Sequence, residues 1–251
     1  MLVARHEDRL NVLAKNLIHQ HAIQALVLPI DLSRPCAAEQ IHAWLKEKEV
    51  HIRLLVNNAA RGYWAPSENA SPQEYETMIR VNVLAVIDLC CRLFWDLSSP
   101  KGGAIINVSS PAAYLPIPGM AVYAATKSFV HSVSLSLHEE WRKRGILVQT
   151  LVPGPSPTEL PGARALGEDS LSPVDIPVRA SLHHLGKGTA VVTTAPGTFL
   201  QRVFALLPAS FILRRVGKMF LPLIVLSLWG SPSGAPQGAP IRVDSVIEKV
   251  T

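Results

Sequence analysis

Cysteine is scarce in this chain. The three present, Cys36, Cys90 and Cys91, make no framework. That excludes a disulfide scaffold. Adjacent Cys90 and Cys91 fall in an apolar, helix-like stretch and read as core thiols in a reducing compartment. No spacing of Cys, His and acidic residues suits a metal. His19/His21 and His183/His184 lack partners and read as surface histidines. A membrane-length apolar run is also missing. The longest late run, Phe220 to Trp229, contains Pro222 and is about half the roughly 20 residues a spanning helix needs. At the N-terminus Arg5, His6, Glu7 and Asp8 bring charge at once, which excludes a signal peptide, so a cytoplasmic protein is expected. The net charge of +5 is scattered until a modest C-terminal cluster, and nucleic acid is not an expected partner.

What is present suits one α/β domain: 251 residues, 48% hydrophobic and 17% charged. Met1 to Ala4 reads as a short strand. Leu10, Leu13, Ala14, Leu17 and Ile18 then recur at helical spacing. Ile23 to Ile30 reads as a strand ending at Asp31-Leu32, and Ala37, Ile41, Trp44 and Leu45 mark a second helix. Ile52 to Val56 is a strand running into Asn57-Asn58-Ala59-Ala60. Ser71-Pro72-Gln73-Glu74 combines a cap, a proline at the first helical position and a capping-box glutamate, predicting a helix to about Leu97. Gly103 to Val108 is a strand, about Met120 to Arg144 a helix, Ile146 to Val152 a strand closed by Pro153-Gly154, and Ala190 to Thr194 a last short strand.

Strands alternate with helices, and most strands are solid apolar runs. Both features predict a parallel sheet covered on both faces, a Rossmann-like, doubly wound α/β/α arrangement. Ligands of such sheets bind at the carboxyl ends of the strands. Asp31, Asn57-Asn58, Ser109-Ser110 and Pro153-Gly154 all share that address.

The residues that can carry chemistry there are Tyr123 and Lys127, four apart, with Ser110 thirteen positions before the tyrosine. A phenol near its reference pKa of about 10 is a poor acid or base at neutrality; an adjacent ammonium stabilises its phenolate. Serine supplies a neutral donor to the same oxygen. Taken alone, the pair also reads as ordinary i,i+4 helix neighbours. Asn82 reads equally as a tolerated polar residue on a helix, Asp31 as a helix cap, Arg5 as a solvent-facing charge and Pro153-Gly154 as a simple turn.

Together, Asp31-Leu32, Asn57-Asn58-Ala59-Ala60, Asn82, Ser110, Tyr123-x-x-x-Lys127 and Pro153-Gly154-Pro155-Ser156-Pro157-Thr158 resemble the short-chain dehydrogenase/reductase family. Order and spacing match over residues 1 to about 160, and loosely for about forty more. The resemblance implies roles for these residues. Tyr123 is the general acid/base, and Lys127 depresses its pKa and holds the nicotinamide ribose. Ser110, rather than Ser109, orients the substrate oxygen, and Asn82 holds a water linking the lysine to solvent. Asp31 and Leu32 lie beside the adenine and Asn58 beside the adenosine ribose, while Thr158, Pro153 and Gly154 border the nicotinamide. Arg5 ends the first strand where an acidic residue would favour NAD and an arginine accommodates the 2′-phosphate, so NADP is expected over NAD. The implied activity is an NADP-dependent interconversion of an alcohol and a ketone or aldehyde, in a homo-oligomer joined through helices 72–97 and 120–144.

The family's glycine-rich turn is absent, and Ala60 stands where a glycine is usual. The chain reads as starting at the family's second strand. The expectation is therefore a sheet lacking the strand between its first two strands and the rest, and a pyrophosphate without its backbone N–H cradle. The expected organisation is a dinucleotide-binding and catalytic domain over 1–198, an apolar and basic helical extension over 199–229, and a flexible tail over 230–251. The extension carries Arg202, Arg214, Arg215 and Lys218 and suits either peripheral membrane contact or packing on protein. An apolar substrate is expected from that composition alone. Rival readings are a non-catalytic binding protein, a membrane-surface protein, and an epimerase or dehydratase, which this length accommodates poorly.

Overall fold

The structure, a computed structural model, describes residues 1–100, 102–156, 172–193 and 218. Strand β1 (Leu2–Ala4) leads through helix α1 (Glu7–His21) to β2 (Val27–Pro29), with which it pairs in parallel. Helix α2 (Ala37–Glu47) then leads to β3 (Leu54–Asn57). Strands β4 (Gly103–Val108), β5 (Ile146–Val152) and β6 (Ala190–Val192) follow, giving a second parallel sheet in the order β3-β4-β5-β6. Among the described residues β1 pairs only with β2, and β3 only with β4. The expected separation of the first two strands from the rest is thus observed.

One core nonetheless joins the two sheets. Leu55, Ile105 and Val148 lie in one register row across β3, β4 and β5. They pack under Ile41 and Leu45 of α2, Val86 and Leu89 of α4 (Ala85–Arg92), and Val130 and Leu137 of α6 (Ala121–Arg142). Val3, Leu28, Ile30 and Leu32 from the two-stranded sheet pack on the same cluster. The opposite face is covered at β5 and β6 by α7 (Asp175–His184), where Ala180 and Leu185 pack on Ile106, Leu151 and Val191. At β3 no described element covers it, with Leu54 and Val56 exposed by 41% and 49%. Solid apolar strands are built for two covered faces, and here the outermost strand of the larger sheet has only one.

The capping box forms as expected at α3 (Pro72–Ile79): the Ser71 hydroxyl accepts from the Glu74 N–H, and the Glu74 carboxylate accepts from the Ser71 N–H. The predicted helix to Leu97 is divided. A π-turn spans Arg80–Leu84, α4 follows, and a short α5 (Phe94–Leu97) comes after a break at Leu93. Such wide turns occur where a side chain has work other than helix packing, and Asn82 is at the centre of this one. The strand predicted over Ile23 to Ile30 shrinks to three residues. Left-handed Ala22 (φ 51°) ends α1, and β1 offers only three partner rows. Helix α7 was not expected in a proline- and glycine-rich stretch. Gln149 of β5 fastens it by bonding both the hydroxyl and the carbonyl of Ser181. The boundaries expected at 199 and 230 lie outside the described residues, as does Thr158. No helix among the described residues is long and apolar enough to cross a membrane.

Candidate active site

Strand β4 ends at Val108, and the chain leaves it through Ser109 and Ser110. The two hydroxyls have different destinations. Ser109 is buried and donates to the Lys127 carbonyl at 2.9 Å, tying the strand end to α6. Ser110 has extended backbone, caps a 3-10 turn by accepting from the Ala112 N–H at 3.2 Å, and its hydroxyl lies near enough to the Tyr123 phenol to favour the phenolate. Helical spacing places Lys127 one turn beyond Tyr123, with its Nζ 5.9 Å from the tyrosine ring centroid. Ser110, Tyr123 and Lys127 therefore meet at the carboxyl end of β4.

The electrostatics differ from the expectation in one respect. Burial pushes the Tyr123 phenol above its ordinary pKa, and the Ser110 hydroxyl only partly offsets that. Lys127 does not pull it down, because its ammonium donates to the Val108 carbonyl at 2.8 Å. Burial also brings Lys127 from 10.5 to about 8. The phenol therefore stays protonated at neutrality, with the lysine turned to the backbone.

Asn82 is 1% exposed. Its Oδ1 accepts from the Arg61 N–H at 2.8 Å, and its Nδ2 donates to the Arg61 carbonyl at 2.9 Å and to the Thr126 hydroxyl at 3.0 Å. Both ends of the amide are therefore engaged by protein. Thr126 in turn donates to the Tyr123 carbonyl at 2.8 Å. The clasp holds the loop after β3 against the turn that carries Tyr123 and Lys127.

A second buried network lies beneath. Asn57 donates to Asn107, its register partner, at 2.8 Å, and lies 3.4 Å from the Cys90 sulfur. Asn107 donates to the Ser134 hydroxyl at 2.9 Å. The Cys90 thiol, pushed up to about 12 by burial, stays protonated and inert. Sequence reasoning missed Thr126 and Asn107. For Asn107 a signal existed: a lone amide inside the apolar run Gly103 to Val108.

The remaining expected residues line the same edge. Asp31 and Arg5 end neighbouring strands and sense each other's charge. Burial raises the Asp31 carboxyl, but hydrogen bonds from the Ser33 N–H and hydroxyl, with Arg5 and Arg34 nearby, outweigh it and leave the pKa below the usual value. Leu32 is partly buried on the core, and Asn58 is exposed just past β3. Past β5, the Gly154 N–H donates to the Thr193 hydroxyl at 3.2 Å, joining the ends of β5 and β6. Beside Tyr123 an apolar wall forms from Met78, Ile117, Leu115, Met120, Tyr63 and Tyr75. Among the described residues no group of His, Cys, Asp and Glu could hold a metal ion.

Known proteins share this arrangement. A very-long-chain 3-oxoacyl-CoA reductase of Anas platyrhynchos is 27% identical over 222 residues, which are 86% of this chain and 70% of that protein. An inactive hydroxysteroid dehydrogenase-like protein 1 of Rattus norvegicus is 29% identical over 157 residues, 61% of this chain and 47% of that protein. Among solved structures, a short-chain dehydrogenase from Sphingobium yanoikuyae in complex with NADPH aligns with a TM-score of 0.72 at 25% identity, covering 96% of this chain and 89% of that one. The short chain dehydrogenase family matches residues 1–168, the stretch that carries every element from β1 to β5 together with Ser110, Tyr123 and Lys127. With its parallel sheets, its strand-end site and that match, the chain belongs to the short-chain dehydrogenase family of oxidoreductases.

Proposed function

We propose that this chain is an NADP-dependent oxidoreductase that interconverts an alcohol and a ketone or aldehyde, with Tyr123 as general acid/base. The observation that carries this reading is the meeting of Ser110, Tyr123 and Lys127 at the carboxyl end of β4, where the Lys127 ammonium donates to the Val108 carbonyl and lies 5.9 Å from the Tyr123 ring centroid. The residues fit a dinucleotide at both ends. Arg5 and Asp31 form a mixed-charge corner suited to the adenosine end and its 2′-phosphate. Asn58 suits the adenosine ribose, and Lys127 and the Pro153-Gly154 backbone suit the nicotinamide riboside end. When bound, the nicotinamide supplies or accepts a hydride. The chain's own residues do the rest: Ser110 donates to the substrate oxygen, and Tyr123 gives that oxygen a proton in reduction or takes it in oxidation. Lys127, at a pKa of about 8, can exchange a proton near neutrality once it leaves the Val108 carbonyl. The NADPH bound by the Sphingobium enzyme supports the cofactor. The apolar wall beside Tyr123, together with the reductase activity named for the duck relative, supports an apolar, acyl-like carbonyl substrate.

The test is NADPH-dependent reduction of an apolar ketone by the full chain and by Tyr123→Phe. The variant is expected to lose nearly all turnover and keep NADPH binding, followed by cofactor fluorescence. Substantial residual reduction removes Tyr123 from its role. A second reading, a non-catalytic binding protein, draws on the relative named inactive. Failure to bind NADPH at millimolar concentration favours it. Homo-oligomerisation through α3 to α6 and peripheral membrane contact through residues 199–229 belong to the same proposal. Liposome co-sedimentation with and without that segment tests the second of these.

A further inference from the structure

Arg61 follows Asn57-Asn58-Ala59-Ala60 at the carboxyl end of β3 and is partly buried. Its main chain is gripped on both sides by the Asn82 amide, which also holds Thr126, and Thr126 holds the Tyr123 carbonyl. Asn82 and Thr126 are both buried, so the position of Arg61 beside the catalytic turn is set by interior groups. The side chain is different. Among the described residues its guanidinium has no carboxylate, no hydrogen-bond acceptor and no aromatic ring. Arg80, Arg92, Arg142 and Arg179 each pair with a carboxylate on their own helix face. Those pairs are exposed or only partly buried, and weak. Arg61 is the partly buried arginine without one, at the edge where ligands of parallel sheets bind. A guanidinium drawn partly out of water without an acceptor is unfavourable unless an acceptor arrives with a ligand. Its planar fork matches two oxygens of a phosphate or carboxylate.

We propose that Arg61 is the anion-binding residue of this site, receiving a phosphate or carboxylate oxygen pair of the ligand held at the strand ends. The inference rests on the reading of that edge as the ligand site, and it adds that the ligand carries an anion there. The anion has two sources: the phosphates of the dinucleotide, or an acidic group on the carbonyl substrate. Asn82 acts on this subsite as a positioning residue, since it fixes the backbone from which the guanidinium extends.

Calorimetric titration of the full chain, Arg61→Met and Arg61→Lys tests this. The probes are inorganic pyrophosphate, NADPH, acetoacetate and methyl acetoacetate. Arg61→Met should lose about tenfold or more in affinity for the anion it serves, the scale of a charge-assisted pair. Arg61→Lys should retain part of it, because the charge stays and the fork is lost. Thermal midpoints should be unchanged, since among the described residues the side chain holds nothing. A loss on pyrophosphate and NADPH assigns the anion to the cofactor. A loss on acetoacetate but not its methyl ester assigns it to the substrate. A wild-type chain that binds none of these anions, or an Arg61→Met chain that binds them all as well as wild type, overturns the proposal. Arg61-dependent pyrophosphate binding in a chain that ignores NADPH would keep the subsite and remove the NADP reading.

Discussion

Replacing Lys127 by methionine should make the protein more stable at neutral pH. Lys127 is 3% exposed, and burial brings its pKa from 10.5 to about 8. That difference, about 2.5 units, corresponds to roughly 3 kcal/mol of stability carried against folding by the charged form. The sign follows from proton binding. Between pH 8 and 10.5 the unfolded chain holds the proton that the folded chain has released, so stability rises with pH across that window. Below about pH 8 the full cost of the buried ammonium is present. Methionine has a similar reach and no charge, but it removes the 2.8 Å hydrogen bond to the Val108 carbonyl, a loss of about 1 kcal/mol. The net expectation at pH 7 is a gain of about 2 kcal/mol, or roughly 4–8 °C in Tm for a chain of this size. Urea unfolding of both proteins at pH 7, 8.5 and 10, followed by tryptophan fluorescence, checks it. The difference between the two curves cancels groups common to both, and the advantage of the variant should fade as pH rises. A Lys127→Met protein less stable at pH 7, or an advantage independent of pH, refutes the argument that this lysine is retained at the expense of stability.

Two other substitutions probe the scaffold under the site. Asn107→Ala breaks the bonds to Asn57 and Ser134 and leaves buried polar atoms short of partners, so a loss of about 2–4 kcal/mol is expected in urea unfolding; a loss below about 1 kcal/mol would mean the ladder is not a stabilising unit. Gly103→Ala puts a methyl 2.5 Å from the Leu97 carbonyl oxygen and 2.8 Å from its Cα, so the end of α5 must move off β4 at a cost of about 1–3 kcal/mol; an unchanged thermal midpoint would show that the contact yields freely.

Much of the fold was legible because its signals are local. The capping box at Ser71, the apolar strands at β4 and β5 and the helical spacing of Tyr123 and Lys127 depend on neighbours within a few residues, and each formed where expected. Helix α7 was not legible: its hold on the fold is Gln149 against Ser181, thirty-two positions apart, with little apolar periodicity of its own. The division of the helix to Leu97 was hidden for a similar reason. Asn82 looks like one polar residue in a helix until Arg61 and Thr126 arrive from other elements to take its amide.

The amino-acid order alone determined the run of strands and helices and the strand-end address of Asp31, Asn57-Asn58, Ser109-Ser110 and Pro153-Gly154, which follow from period and spacing along the chain. The choice of Ser110 over Ser109 and the separation of the first two strands came instead from the resemblance to the short-chain dehydrogenase family. Only the tertiary structure decided how those groups are charged and which neighbours they keep. Desolvation depends on what packs around a side chain from distant segments. That is why Lys127 turned to the Val108 carbonyl, the Tyr123 phenol rose instead of falling, and the Arg61 side chain has no partner among the described residues.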